Sequence, residues 1–234
     1  MEKLEEIAEQ IRQDLEVRTT LRDEALKQTR QLTRACSLAI RAVHRHELDV
    51  MEEYLTEAQT LADEIRNNLK DHPDLRFAGY TQDALKEFVE AKVTCALVQN
   101  QALYTPEELG VEYVTYLNGL AEVVGELRRQ ILDILRSGYS QDVERLLNNM
   151  DDIYSVLVTM DYPDAVTHGL RRQTDIARNL VEKTRGDVTF SQRGENLAKA
   201  ISALSQQLTG TPINVDEATR SGLSVHLKEE DKEE

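Results

Sequence analysis

The positions of the prolines constrain the fold of this chain more than any other feature of its sequence. Pro73, Pro106 and Pro163 all fall between long segments in which apolar residues recur at helical spacing. Proline lacks a backbone donor and disfavours helical geometry in the residue before it, so it marks helix boundaries. The long segments are rich in Leu, Glu, Ala, Arg and Gln, and the chain has no tryptophan, a composition typical of long helices. We therefore predict an all-α fold, a bundle of about seven helices.

Boundary signals and apolar spacing place these helices along the chain. The strongest signal is a capping box, in which Thr105 is the N-cap, Pro106 the first helical residue and Glu108 the third. Gly119 and Gly125 lie inside the helix that follows, where each costs roughly 1 kcal/mol relative to alanine, so they indicate close approach of a neighbouring backbone. The predicted helices span 2–47, 48–70, 81–103, 105–136, 140–159, 163–185 and 191–208.

One domain and a tail are expected. Residues 1–209 should form a single helical domain, and 210–234 a flexible acidic C-terminal tail, because the last seven residues hold five acids. No apolar run approaches the ~18 residues that a membrane span needs, and the N-terminus resembles no signal peptide, so we expect a cytoplasmic protein without membrane contact. Cys36 and Cys95 lie far apart and outside any Cys-x-x-Cys spacing, which favours buried thiols over a zinc site or a disulfide.

The charge distribution is uneven. A net charge of −15 argues against a nucleic-acid partner, because phosphate binding depends on lysine and arginine. The region between Val17 and His46 nevertheless carries only two acids beside seven basic residues, which are Arg18, Arg22, Lys27, Arg30, Arg34, Arg41 and Arg45. At about 100° per residue, the last five of these lie opposite the apolar stripe of the first helix. This line holds no acid to pair with, which favours a phosphate track over a merely solvated face.

Two pairs of glutamates suggest a second function. Glu87 and Glu90 are three residues apart, Glu122 and Glu126 are four apart, and each pair lies on one helix face, away from the apolar stripe. A solvated face is the simpler interpretation. The alternative is that consecutive antiparallel helices bring the four carboxylates together around a hard cation, Mg²⁺ or Mn²⁺. His44 and His46 are about 200° apart on a helix, so we expect no shared metal there.

Three segments resemble a known family. They are Leu85–Ala91, Glu112–Leu127 and Gly169–Val181, and together they are similar to the translin and translin-associated factor X family. The resemblance implies an all-helical protein that assembles into a hollow shell, usually an octamer, and binds RNA and single-stranded DNA. It also implies, for the factor X branch, a metal-dependent endoribonuclease with two glutamates on one helix and an aspartate and a glutamate on the next.

The family pattern maps onto this sequence with one departure. The two glutamates match Glu87 and Glu90, and the final glutamate matches Glu126, for which the role of catalytic base is suggested. Glu122 stands where the family has aspartate, so the ligand type is kept on a longer side chain. Arg76 with Phe77 resembles a nucleic-acid-binding pair in translin, and Tyr80 is a candidate for stacking a base or for packing. A non-catalytic nucleic-acid-binding shell and a structural helical protein are the alternatives.

Overall fold

The computed structural model describes residues 1–209, and within them every regular element is a helix, which confirms the predicted fold class. None of the described helices is long and apolar enough to cross a membrane. The predicted tail, 210–234, lies outside the described residues. The helices are α1 (Glu2–His44), α2 (Leu48–Asn68), α3 (Pro73–Arg76), α4 (Gly79–Val98), α5 (Pro106–Leu109), α6 (Tyr113–Leu135), α7 (Gln141–Val158), α8 (Asp164–Thr167) and α9 (Leu170–Thr209).

Of the six long helices, α4 and α6 are central, and α1, α2, α7 and α9 pack around them. Helix α4 lies against α1, α2 and α6, and α6 lies against α7 and α9. Phe88 of α4 and Leu127 and Ile131 of α6 are fully buried, so the core runs between these two helices and their neighbours. The two cysteines are buried and unpaired, as predicted, and burial raises the pKa of the Cys95 thiol to about 12.

Helices α4 and α6 approach each other closely at Gly119. A Cβ atom on Gly119 would lie 2.7 Å from Val89 Cβ and 3.0 Å from the Lys86 carbonyl oxygen, so only glycine fits and the prediction is confirmed. The prediction is wrong for Gly125, where the nearest atom to an added Cβ is Leu180 Cδ1 at 3.9 Å. This contact at Gly119 brings the glutamate faces of α4 and α6 side by side.

The capping box is present, but the helix that it starts is short. The Thr105 side chain accepts a hydrogen bond from the Glu108 backbone, and Glu108 Oε2 accepts one from the Thr105 amide at 2.7 Å. Helix α5 then ends at Gly110, which has the left-handed φ of 64°. The Arg66 guanidinium donates to the Leu109 carbonyl at 2.6 Å and fixes this turn. The predicted helix 105–136 is therefore two helices, α5 and α6.

The predicted break near Gly186 is wrong. Helix α9 runs without interruption from Leu170 to Thr209. Val181, Thr184 and Val188 are buried around this glycine, and their packing outweighs the cost of about 1 kcal/mol for glycine in a helix. The break lies earlier, at His168 and Gly169, whose φ angles are 50° and 88°.

Candidate metal centre

Three of the four predicted carboxylates converge where α4 crosses α6. One oxygen each from Glu87, Glu90 and Glu122 lie within 4.8 Å of one another, and all three residues are half-buried. The spacing of three residues places Glu87 and Glu90 on one face of α4, and the close approach at Gly119 brings Glu122 of α6 against that face. The three glutamates therefore form a partly enclosed acidic cluster and not the solvated face that was the simpler interpretation.

The cluster is electrostatically strained without a cation. Burial, followed by the charges of Glu87, Glu122 and Glu126, raises the pKa of Glu90 to about 8. Burial and the charge of Glu122 also raise the pKa of Glu87. Carboxylates packed this closely repel one another, and a positive charge among them favours their ionised forms. Hard divalent cations prefer carboxylate oxygens, so this donor set fits Mg²⁺ or Mn²⁺.

Two side chains already contact Glu122. Lys86 Nζ lies 2.7 Å from Glu122 Oε1, and Gln173 of α9 donates to the same oxygen at 3.4 Å. Burial lowers the pKa of Lys86, but the hydrogen bond and the charge of Glu122 outweigh this effect, so its pKa is raised. Sequence reasoning did not select Lys86 or Gln173. Lys86 is adjacent to Glu87 in sequence, but no spacing rule connects it with Glu122 on another helix.

Glu126 lies beside the cluster but is held by other residues. Its Oε2 atom lies 2.6 Å from His44 Nε2 and 3.6 Å from Arg129 Nη1. The hydrogen bond from His44 lowers the pKa of Glu126, burial opposes this effect, and Arg129 adds to it. Glu126 is therefore kept ionised, and its charge raises the pKa of Glu90. The structure gives Glu126 a position distinct from the three converging carboxylates.

Sequence reasoning considered His44 only as a metal ligand shared with His46 and missed its contact with Glu126. The His44 side chain is buried near the end of α1, with Nδ1 2.7 Å from Gln130 Oε1 and Nε2 on Glu126. A histidine between an amide and a carboxylate fixes the orientation of that carboxylate. A signal was present in the sequence, because His44 continues the buried spacing of Cys36 and Ile40 by four residues.

The five residues of the predicted basic line share one environment. Lys27, Arg30, Arg34, Arg41 and Arg45 are exposed, and none pairs with an acid among the residues that the structure describes. Four unpaired cations on α1, together with Arg45 directly after its last residue, make a surface suited to phosphates.

The other two basic residues of the prediction are engaged. Arg18 forms ion pairs with Asp14 at 2.9 Å and with Asp74 at 3.1 Å. Arg22 lies 3.3 Å from Asp23. Arg18 and Arg22, which lie outside the predicted line, are therefore already compensated by acidic neighbours.

The loop before α4 has one exposed aromatic ring. Arg76 pairs with Glu112 at 3.1 Å, and its guanidinium carbon lies 5.3 Å from the centroid of the Phe77 ring. Phe77 is 53% exposed. Tyr80 is half-buried, and its hydroxyl is enclosed without a hydrogen-bond partner in the described part of the chain. Between the two interpretations of Tyr80, this position favours packing, and Phe77 is the ring that is accessible to a ligand.

Comparison with known proteins agrees with this fold. The translin family model matches residues 20–186. An uncharacterized protein of Methanocaldococcus jannaschii is 35% identical over 195 residues, covering 80% of this chain and 86% of that protein.

Solved structures of C3PO proteins also match. The structure of AfC3PO in complex with duplex RNA has 30% sequence identity and a TM-score of 0.75, covering 80% of this chain and 96% of that one. A second structure of AfC3PO, a crystal structure, has 30% sequence identity and a TM-score of 0.74, and the match covers 80% of this chain and 97% of that one. The crystal structure of apo-NeC3PO shares the fold, with a TM-score of 0.72 at 20% sequence identity. The match covers 78% of this chain and 96% of that one. This chain belongs to the translin family.

Proposed function

We propose that this protein is a metal-dependent endoribonuclease that cleaves phosphodiester bonds of single-stranded RNA. The observation that carries the proposal is the convergence of Glu87, Glu90 and Glu122 within 4.8 Å in a half-buried site. Burial and mutual repulsion raise the pKa of Glu90 to about 8. A cation bound between these carboxylates would offset this repulsion. Phosphodiester hydrolysis depends chiefly on electrostatic stabilisation, which a metal centre provides.

Each acidic residue has a proposed role. Glu87, Glu90 and Glu122 would hold Mg²⁺ or Mn²⁺, which when bound supplies a Lewis acid and lowers the pKa of a water. Glu126 remains ionised beside them and would accept the proton of the attacking water. His44 fixes the Glu126 carboxylate through the 2.6 Å contact. Glu122 stands where the resemblance predicts an aspartate, and its carboxylate oxygen lies within 4.8 Å of those of Glu87 and Glu90, which supports its proposed role as a ligand.

RNA as the substrate is supported by two observations. AfC3PO, which shares this fold, has been solved with duplex RNA. The exposed and unpaired cations of α1 form a surface that can bind phosphates although the whole chain has a net charge of −15. We propose that single-stranded RNA, and single-stranded DNA in the same way, binds along Lys27, Arg30, Arg34, Arg41 and Arg45.

The family also supports a proposal about assembly and location. We propose a hollow homo-octamer that acts in the cytoplasm, with the basic line and the acidic cluster facing the interior. A mass measurement in solution tests the assembly, because any species smaller than a closed ring cannot enclose RNA.

A non-catalytic RNA-binding protein is the second candidate, and one observation favours it. Lys86 Nζ lies 2.7 Å from Glu122 Oε1, so part of the negative charge is already compensated without a metal. Under this alternative the cluster is a structural ion pair and RNA binding is the whole function.

Cleavage of a labelled RNA with Mg²⁺ or with EDTA separates these candidates. If the protein is the proposed endoribonuclease, the RNA is cleaved only with Mg²⁺, and this cleavage is lost in Glu87→Gln and in Glu126→Gln. Glu57→Gln, which alters an exposed carboxylate of α2, is the matched control. Equal residual cleavage in all variants would mean a contaminating nuclease, and RNA binding without cleavage would favour the second candidate.

A salt series tests the nucleic-acid surface separately. Loss of two phosphate contacts in Arg30→Ala with Arg34→Ala should reduce the slope of log affinity against log salt by about 1.4 for a single strand. Arg12→Ala removes a cation that is already paired with Glu9 and should leave the slope unchanged. An unchanged slope in the double variant would remove α1 from the RNA-binding surface.

A further inference from the structure

A cavity of about 460 Å³ lies beside the acidic cluster, within the volume range of small-ligand pockets. It is enclosed by the first turns of α4 and α6 and by the turn at His168 that precedes α9. Lys86 and Gln173 line this cavity, and both contact Glu122 Oε1, at 2.7 and 3.4 Å. One layer of side chains therefore separates the cavity from the carboxylates of the proposed metal centre.

The cavity has an aromatic rim and a polar floor. Phe77 is at the rim and is 53% exposed, whereas Thr115 and Asn118 at the floor are buried. The Asn118 amide donates both of its hydrogens, to the Val114 carbonyl at 2.9 Å and to the Thr167 carbonyl at 3.0 Å. These two bonds fix the orientation of the amide and leave its Oδ1 atom as an acceptor that no hydrogen bond of the described residues uses.

The charges around the cavity exclude a phosphate as its ligand. Asp83 contributes to the lining a carboxylate with no ion pair among the described residues, and this charge repels anions, whereas Glu112 is paired with Arg76 at 3.1 Å. Lys86, the one lysine among the described lining residues, is already paired with Glu122. An uncharged group fits better, particularly one that is planar enough to stack on Phe77 and donates hydrogen bonds to Asn118 or Asp83.

We propose that this cavity binds the base of the nucleotide next to the phosphate at Glu87, Glu90 and Glu122. This proposal rests on the proposed function, since it assigns part of the RNA substrate to a site beside the same centre. The acceptors Asn118 Oδ1 and Asp83 favour bases with an exocyclic amine over uracil. A base in the cavity cannot be stacked and paired in a duplex, so the site selects an unpaired nucleotide.

Phe77→Trp provides a direct test, because the chain has no other tryptophan. The fluorescence of this variant is titrated in EDTA with cytidine, uridine and adenosine 5′-monophosphates and with ribose 5-phosphate. We expect saturable quenching by the cytidine and adenosine nucleotides, and at least ten-fold weaker binding of the uridine nucleotide and of ribose 5-phosphate. Cytidine carries an amine where uridine carries a carbonyl oxygen, and its N3 accepts a hydrogen bond where that of uridine donates one, so equal binding of these two overturns the amine preference. Quenching that does not saturate overturns the base site itself.

A substitution at Gly79 tests the position of the site. An added Cβ at Gly79 meets no atom within 4 Å, so the residue can be enlarged without disturbing the fold. In the Phe77→Trp background, Gly79→Phe should weaken nucleotide binding at least ten-fold, whereas Gly79→Ala should not. Equal affinity in the two variants would place the nucleotide outside this cavity.

The titration does not depend on catalysis. Nucleotide binding in EDTA together with no cleavage in Mg²⁺ would reject the endoribonuclease and keep the base site. Mg²⁺-dependent cleavage with no saturable quenching would reject the base site and keep the endoribonuclease.

Discussion

Replacement of Glu90 by glutamine should stabilise the metal-free protein, and the gain should depend on pH. The pKa of Glu90 is about 8 in the folded chain, against an ordinary value of 4.5. Between these two values the folded state binds more protons than the unfolded state, so the free energy of unfolding falls as pH rises. Glutamine keeps the shape of the side chain and removes the titration.

The size of the effect follows from the pKa difference. The penalty from Glu90 is about 1 kcal/mol at pH 5 and about 3 kcal/mol at pH 7, at 1.36 kcal/mol per unit of pKa. The advantage of Glu90→Gln over the wild type should therefore grow by about 2 kcal/mol between these pH values. For a chain of this size, that corresponds to roughly 4–8 °C in Tm.

Denaturant and thermal unfolding in EDTA at pH 5 and pH 7 measure this difference. Glu57→Gln on the exposed face of α2 is the control and should show no growth with pH. Saturating Mg²⁺ should reduce the difference, because a cation among the carboxylates favours ionised Glu90. An equal difference between Glu90→Gln and wild type at both pH values would refute the account of the strained cluster.

Two further predictions concern His44 and the contact between α4 and α6. His44→Leu removes the hydrogen bond that lowers the pKa of Glu126, so the acidic limb of the pH–rate profile should move to higher pH and cleavage should fall at least ten-fold. His44→Gln can still donate a hydrogen bond and should recover part of the activity. A pH–rate profile that does not move would contradict the role of His44. Gly119→Ala should destabilise the protein by about 1–3 kcal/mol through overpacking, because its Cβ would meet Val89 Cβ at 2.7 Å. Gly125→Ala has room for the methyl group and should stabilise α6 by about 1 kcal/mol. Urea unfolding measures both changes, and an equal change in the free energy of unfolding for the two alanine variants would contradict this difference in packing.

Local rules predicted much of the fold and paired the four glutamates of the candidate site on two helix faces, and the family resemblance selected these glutamates as metal ligands. Proline positions and apolar spacing act within a few residues, and they located the breaks near Pro73, Pro106 and Pro163. The same spacing placed Glu87 and Glu90 on one face. The continuous helix through Gly186 could not be predicted in this way, because burial of its neighbours in the bundle outweighs the cost of glycine.

The parts of the site that were missed depend on contacts between distant segments. His44 reaches Glu126 across 82 residues of sequence, and Lys86 reaches Glu122 across 36. No periodicity within one helix records such pairs. The enclosure of the carboxylates is also a tertiary effect, since it requires α4 and α6 to approach each other at Gly119.

The central claim is that Glu87, Glu90 and Glu122 form a metal centre, and a crystal structure with Mn²⁺ tests it most directly. The account predicts an anomalous difference peak in contact with carboxylate oxygens of all three residues, and the loss of this peak in Glu90→Gln. A saturating concentration of Mn²⁺ that gives no peak there, with Lys86 still paired to Glu122, would contradict it.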